Sequence, residues 1–138
     1  MNNIKTVEEN IKKILNHWGF GEICSSIYAV LSLSDKPLTA RELSRKIGYA
    51  YTTTINALNH SIGLGHIRKM RKDGSNVYYI DADISDIVKE ELIKFVKVLE
   101  DTKKSIHTLD EKYRLRLKGL LKTINNSIQF LKKSLEVG

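Results

Sequence analysis

The sequence has a single cysteine, Cys24, and a single proline, Pro37, among its 138 residues. One cysteine cannot form an intramolecular disulfide, which agrees with a reducing compartment. No apolar run approaches the roughly 20 residues that span a bilayer, and no signal-peptide pattern opens the chain. We therefore expect a soluble, cytoplasmic protein with one core domain and helical extensions, too short to add a separate catalytic domain.

Catalytic and metal-binding patterns are also missing. There is no Gly-rich phosphate loop, no pair of catalytic carboxylates and no Ser-His-Asp order, and Gly63-Leu64-Gly65 is better explained as the end of a helix. Cys24 and the four histidines lack the close spacing of a metal-ligand pair. We expect no enzyme, cofactor or metal site. The apolar neighbours of Cys24 favour a structural thiol, and a redox sensor stays open.

Charge is unevenly distributed along the chain, whose net charge is +7. Residues 41–80 hold seven Lys and Arg against two acids, whereas residues 81–102 hold seven acids against three Lys. Residues 103–138 are basic again, with nine cations against three acids. A positive central block suits phosphate. The basic C-terminal segment is open to three interpretations: a solvated helix face, a second DNA contact, or a surface near DNA in a dimer.

Residues 37–63 have the pattern of a helix-turn-helix. Thr39 and Glu42 are spaced as a capping box, so a helix starts at about Ala40, and Gly48 allows the sharp turn that follows. A second helix is predicted from Ala50 to Ile62, buried on a stripe of residues four apart. Its outward face carries the polar residues that we predict to contact DNA: Tyr51, Thr52, Thr53, Asn56 and Asn59.

A basic hairpin follows this second helix. Residues 66–72 and 76–80 have β propensity and flank Asp73-Gly74-Ser75, and Asp-Gly between such runs is a strong hairpin signal. The order of helix, turn, helix and hairpin predicts a winged helix-turn-helix, a mainly α fold with a small β-hairpin. The cations predicted to contact DNA lie on the first helix and on the wing: Arg41, Arg45, Lys46, Arg68, Lys69, Arg71 and Lys72.

Further helices are predicted on either side of this core. A capping-box pattern at Thr6 to Glu9 opens an N-terminal helix, and a nearly apolar helix covers Glu22 to Leu33. Asp83 can cap a third, and another capping-box pattern begins at Thr108. The C-terminal region is then two long helices, or one with a break near Thr108. These elements divide the chain into an N-terminal support helix (1–20), a DNA-binding domain (21–82) and a dimerisation region (83–138).

An apolar stripe at helical spacing runs through the C-terminal region. A stripe of this length exceeds what a small winged core can cover, which predicts a homodimer with two-fold symmetry. The alternative is a monomer with an intramolecular antiparallel helical hairpin. The stripe, which we predict to be the dimerisation surface, contains Val88, Leu92, Phe95, Leu99, Leu117, Leu120, Ile124, Ile128, Leu131 and Leu135.

Several segments together resemble the GbsR-type branch of the MarR-like transcriptional regulators. The similarity covers roughly Trp18 to Asp86 and lies in His17–Phe20, Ile27–Leu31, Leu38–Leu43, Ile47-Gly48 and the Asp73-Gly74 wing. It implies a dimeric regulator that binds a palindromic operator and is often released by a small molecule, in some members a choline-like or betaine-like quaternary amine.

The second helix of the helix-turn-helix departs from that family pattern, because it contains no Lys or Arg. Bidentate readout of guanine by arginine is therefore not available from this helix. Asn56, Thr52 and Thr53 can instead read adenine edges or thymine methyl groups. We expect an A/T-rich operator, with phosphate affinity supplied by the flanking cations.

Two classes of function and one effector site remain open. The first class is a sequence-specific, dimeric regulator of transcription that binds double-stranded DNA. The second is an architectural chromatin protein, or a protein-binding winged-helix module, without sequence specificity. Aromatic side chains can form a cage for a quaternary ammonium effector by cation–π attraction, or they can simply be core residues. The candidates are Trp18, Phe20, Tyr28, Phe95 and Tyr113.

Overall fold

A computed structural model of the chain describes residues 3–137, apart from the side chain of Val137. The fold is mainly α with a small antiparallel sheet, as the sequence predicts. The chain divides into two compact units, the first ending at Asp83 and the second beginning at Ile84. In chain order the described elements are α1 (Asn3–His17), α2 (Glu22–Leu33), β1 (Leu38–Thr39), α3 (Ala40–Ile47), α4 (Tyr51–Gly63), β2 (Ile67–Lys72), β3 (Ser75–Ile80), α5 (Ile84–His107), α6 (Glu111–Arg116) and α7 (Lys118–Val137).

The first unit is built around α2, which is buried along most of its length. Its bounds, Glu22–Leu33, match the prediction. The helix is buried because its apolar residues leave little surface that can face water. Helix α1 packs beside α2, and the ammonium of Lys12 lies 2.7 Å from the carboxylate of Glu22. This hydrogen bond lowers the pKa of Glu22. The core around α2 contains Ile27, Val30, Leu31, Leu38, Ala40, Leu43, Leu58, Ile67 and Tyr78.

The predicted start of α1 is wrong. The helix already includes Asn3, so Thr6 lies inside it with an exposed side chain instead of capping its first turn. A Ser/Thr-x-x-Glu pattern is satisfied equally well within an amphipathic helix, where both polar side chains face water. The pattern therefore predicts that a helix is present here but not the residue at which the helix begins.

The capping box of α3 is confirmed. The amide of Glu42 donates to the hydroxyl of Thr39 (3.1 Å), and the amide of Thr39 donates to the carboxylate of Glu42 (3.0 Å). The backbone hydrogen bond from Thr39 lowers the pKa of Glu42 and keeps it ionised. At the other end, Gly48 has a φ of 77°, the left-handed conformation that the turn into α4 requires. Local sequence therefore determines both ends of α3.

Replacing Thr39 with Ala is expected to destabilise the protein by about 1 kcal/mol, because one amide at the start of α3 loses its acceptor. Thr6→Ala and Thr108→Ala are matched controls, since both residues show the same sequence pattern without forming the box. We expect the two controls to change stability by no more than about 0.5 kcal/mol. Urea unfolding of the three variants measures the difference, and equal effects would contradict the cap.

The wing belongs to a three-stranded antiparallel sheet with strand order β1-β3-β2. Strand β1 was not predicted, because two residues, Leu38 and Thr39, give no periodic signal. The hairpin turn is Asp73-Gly74, with φ angles of 51° and 81°, and Ser75 already pairs with Lys72. Positive φ at both central residues is typical of the tight turn that matches strand twist. The predicted hairpin is confirmed with a turn one residue shorter, and His66 precedes β2.

The second unit is a helical hairpin of α5 and α7. Phe95 and Leu131 line one groove, whereas Ile106 and Leu121, nearer the loop, line another, so the two helices run antiparallel. Val96 and Ile106 of α5 pack with Ile124 of α7 in a separate core. The other members of this core or packed against it are Leu99, Leu117, Leu121, Ile128, Leu131 and Leu135.

This packing corrects the predicted dimerisation stripe. Ile124 and Ile128 are 6% and 8% exposed in the single chain, so they cannot also form a surface for a second subunit. The α5 and α7 parts of the stripe mostly pack against each other, in the intramolecular hairpin that the sequence left open. Phe95 and Leu120 remain about half exposed, at 49% and 50%. The argument that one chain cannot cover the stripe is therefore wrong, and most of the stripe is not free to form a dimer surface.

The start of the last helices also differs from the prediction. The hydroxyl of Thr108 donates to the carbonyl of Ser105 in α5, and the next helix begins at Glu111 after Asp110. Thr108 thus caps no helix. The predicted break near Thr108 is confirmed, and a short α6 separates α5 from α7.

Candidate nucleic-acid interface

The outward face of α4 is polar and accessible. Tyr51, Thr52, Asn56 and Asn59 are exposed, and Thr53 is half-buried. The opposite face is anchored in the core by Thr54 and Leu58, each 0% exposed. Hydroxyls and amides on an anchored helix can form directed hydrogen bonds with base edges, because the helix fixes their position. The structure therefore brings together the side chains predicted to read DNA.

The first residue of α4 is held by a cation from α3. The guanidinium carbon of Arg41 lies 5.0 Å from the centre of the Tyr51 ring, a cation–π contact. Arg41 is exposed and lies in the first turn of α3. The stacking orients a charged fork at the start of α4, where the helix N-terminus also favours an anion. This pairing was not predicted, because the two residues are ten apart on different helices.

A cleft of about 320 Å³ separates the start of α4 from the wing. Arg41 and Tyr51 line one side, and Arg71 and Asn76 line the other. Tyr78 also lines the cleft, and burial raises its pKa, so its hydroxyl stays neutral and adds no negative charge. Two guanidinium groups with neutral hydrogen-bonding neighbours form an anion site suited to phosphate. The remaining lining residues are Thr39, Ala40, Ile55 and Ser75.

The four wing cations do not share one surface. Arg71 pairs with Asn76 and Lys69 pairs with Tyr78, so both lie on the sheet face that carries the cleft. Arg68 and Lys72 alternate onto the other face. Arg68 also forms an ion pair with Asp81, at 2.8 Å. Arg71 is the wing cation that reaches the cleft, where its guanidinium donates to the carbonyl of Gly74.

The three cations of α3 also lie on different surfaces. Lys46 lines a different groove, of about 760 Å³, beside Glu8 of α1 and Asp35. It therefore lies on another face of α3 from Arg41, which lines the cleft. Arg45 is exposed one helical turn after Arg41. Of the predicted α3 contacts, the structure places Arg41 in the site and Arg45 next to it on the same helix face.

Other predicted candidates fall outside this site. The hydroxyl of the buried Tyr28 donates to the carbonyl of Ala82 (2.7 Å), and the Phe20 ring packs edge-on against His66 at 4.8 Å. Phe95 and Tyr113 belong to the second unit, and the ring of Trp18 lies edge-on to that of His17, 5.3 Å away. The thiol of Cys24 lies 3.8 Å from the carbonyl of Ala57 and packs against α4.

Neither a metal site nor a membrane-spanning helix is found among the residues that the structure describes. Within 3–137, no three potential metal-ligating side chains come together in a way that could hold an ion. Over the same residues, none of the helices is both long enough and apolar enough to cross a membrane.

The fold is similar to that of solved structures, one of which is described as a transcriptional regulator. A solved structure described as a transcriptional regulator aligns with 98% of this chain and 97% of its own, with a TM-score of 0.62 and 9% identity. The ST1889 protein of the thermoacidophilic archaeon Sulfolobus tokodaii aligns with 73% of this chain and 98% of its own, with a TM-score of 0.51 and 20% identity. No protein-family profile and no curated protein sequence matches the chain. At these identities the likeness shows the fold alone.

Proposed function

We propose that the protein is a sequence-specific, DNA-binding regulator of transcription. The observation that carries this proposal is the exposed polar face of α4, whose first residue, Tyr51, lines one cleft with Arg41 and Arg71. Helix α4 would lie in the major groove while the wing and the start of α3 hold the phosphate backbone.

Base readout in this proposal depends on amides and hydroxyls. Asn56 lies at the exposed centre of α4, and an asparagine can bind the N6 and N7 edge of adenine with two hydrogen bonds. Thr52, one turn earlier, can contact a thymine methyl group. Arginine and lysine supply charge only at the margins of the site. The preferred operator is therefore A/T-rich at the bases that α4 covers.

We also propose that the regulator is a homodimer on a palindromic operator. The second unit exposes Phe130 (68%) and Phe95 (49%), which line one groove of about 350 Å³ with Leu131. Two exposed phenylalanines on one groove form an apolar surface that is costly to leave in water. A second copy of the same surface would cover it by two-fold symmetry. The operator would then have half-sites about 10–10.5 base pairs apart, or a multiple of that spacing.

Substitution of Asn56 tests base readout. On an operator obtained by selection from random duplexes, Asn56→Ala is expected to lose about 1–3 kcal/mol of discrimination at one base pair, because a bidentate contact disappears. Affinity for random DNA should stay within about twofold. His60→Ala is a matched control from the same helix, in its last turn. Full discrimination by Asn56→Ala on every operator variant would show that α4 is not the reading helix.

A further inference from the structure

A long helical stretch of the second unit contains no acidic residue. Residues 112–135 hold seven Lys and Arg without one Asp or Glu. They cover α6 after its first residue and nearly all of α7. The sequence left this basic segment open to several interpretations. The positions of these cations on α6 and α7 show which of them share a surface.

Helix α7 presents different chemistry on its two flanks beside the buried stripe. One flank carries Phe130, part of the apolar surface proposed above for a second copy. The other carries Lys118 and Lys122, both exposed and four apart. Asn126, also exposed, lies between the two surfaces and lines a groove of each. We call the second surface, together with Asn126, the exposed Arg114 and the half-buried Asn125, the basic flank. From Lys118 to Asn126 it extends about 12 Å along the helix axis.

The basic flank lines two adjoining shallow grooves. Arg114 and Lys118 line the first, at the loop end of the hairpin, together with Glu111 and Leu115. Lys118, Lys122, Asn125 and Asn126 line the second. Because Lys118 borders both grooves, the surface is continuous from α6 into α7. Cationic and amide groups can all donate hydrogen bonds to phosphate oxygens.

The cations of the basic flank have no carboxylate partner within the described part of the chain. Lysines elsewhere in the same unit do: Lys94 pairs with Glu91, Lys97 with Asp101, and Lys132 with Glu100. These pairs engage Glu91, Glu100 and Asp101, three of the seven acids of residues 81–102. The exposed cations of the basic flank are therefore open to an external anion.

We propose that the basic flank binds the phosphate backbone of duplex DNA, as a second contact independent of base sequence. Repeated cations with amide donors suit a polyanion of regularly spaced phosphates, about 3.4 Å apart along each strand. A helix that lies on a membrane buries a broad apolar face beside its cations. Along the basic flank one strongly exposed apolar side chain, that of Leu115 (63%), lies beside the cations, which is too small a surface for that role. The basic flank and the proposed reading site lie in different units of the chain. Substitutions in one surface therefore test that surface without altering the other.

The test compares the full chain with Arg114→Gln/Lys118→Gln/Lys122→Gln on random duplex DNA over a range of salt concentrations. Removing three phosphate-binding cations should lower the slope of log affinity against log salt by about 2–3 and weaken binding roughly tenfold at physiological salt. Discrimination between the selected operator and its variants should not change. Lys94→Gln/Lys97→Gln/Lys132→Gln removes the same charge from paired lysines and should leave the slope within about one unit.

A variant with an intact flank separates this proposal from the proposed function. Arg41→Gln/Arg71→Gln removes cations from the cleft but should keep the salt-dependent binding that the flank supplies. An unchanged slope in the flank variant would overturn the second contact while leaving the reading site in place. Loss of binding to anionic phospholipid vesicles, with DNA binding intact, would overturn it in favour of a membrane surface. Circular dichroism must show native helix content in each variant.

Discussion

Arg41→Gln/Arg71→Gln is expected to weaken binding to every duplex by roughly 100-fold at physiological salt. Each guanidinium borders the cleft between α4 and the wing, and a charge-assisted hydrogen bond to phosphate is worth about 1.5–3 kcal/mol. The slope of log affinity against log salt should fall by about two units, one for each phosphate that the variant no longer neutralises. Fluorescence anisotropy with labelled duplexes measures both quantities.

The matched control removes two exposed lysines from α1. Lys5→Gln/Lys13→Gln changes the net charge by the same amount without touching the cleft. It should weaken binding by less than about threefold, since only long-range attraction changes. If both double variants behave alike, net charge alone explains the affinity, and the cleft is not a phosphate site.

Phe130→Asp is expected to convert the dimer into a monomer and raise the dimer dissociation constant by at least about 100-fold. A central aromatic anchor of an interface typically contributes about 2 kcal/mol or more, and the new carboxylates would face the partner's apolar surface. Since Phe130 is 68% exposed in the single chain, the substitution should barely change the stability of the hairpin. Sedimentation equilibrium should then give one chain mass, 15.8 kDa.

Gln129→Asp is the control for this substitution. It places the same carboxylate at the neighbouring exposed position of α7, away from the groove that Phe95 and Phe130 line. The control should remain dimeric and keep its preference for two half-sites, which Phe130→Asp should lose. Dimers of unchanged affinity in Phe130→Asp would place the interface elsewhere, and a monomeric wild-type protein would remove the paired half-site proposal.

Sequence predicted the winged core accurately because its signals are local. The capping box of Thr39 and Glu42 and the left-handed Gly48 determine both ends of α3, and Asp73-Gly74 determines the wing turn within a few residues. The bounds of α2 follow from its apolar composition. Outside this core the same kind of local pattern was less reliable, since the capping-box patterns at Thr6 and Thr108 cap no helix.

Longer-range features were not predictable in the same way. Helical spacing showed that Ile124 and Ile128 are buried, but the spacing is identical whether the covering helix belongs to the same chain or to a second one. Alternation along the strand puts Arg71 and Lys72 on opposite faces, but which face borders the cleft depends on how the sheet packs against the helices. In the same way, the roles of Arg41 and Lys46 depend on which neighbour each face of α3 meets. The Arg41–Tyr51 contact joins two helices across the turn. Each of these features depends on tertiary packing.

The central claim is that this fold reads DNA sequence, and the ratio of two affinities tests it most directly. The wild-type chain should bind the best duplex selected from a random library at least about 1,000-fold more tightly than random DNA of equal length, measured at one physiological salt concentration. The selected sequence should be A/T-rich where α4 contacts it. A ratio near one would contradict the claim and identify an architectural protein instead.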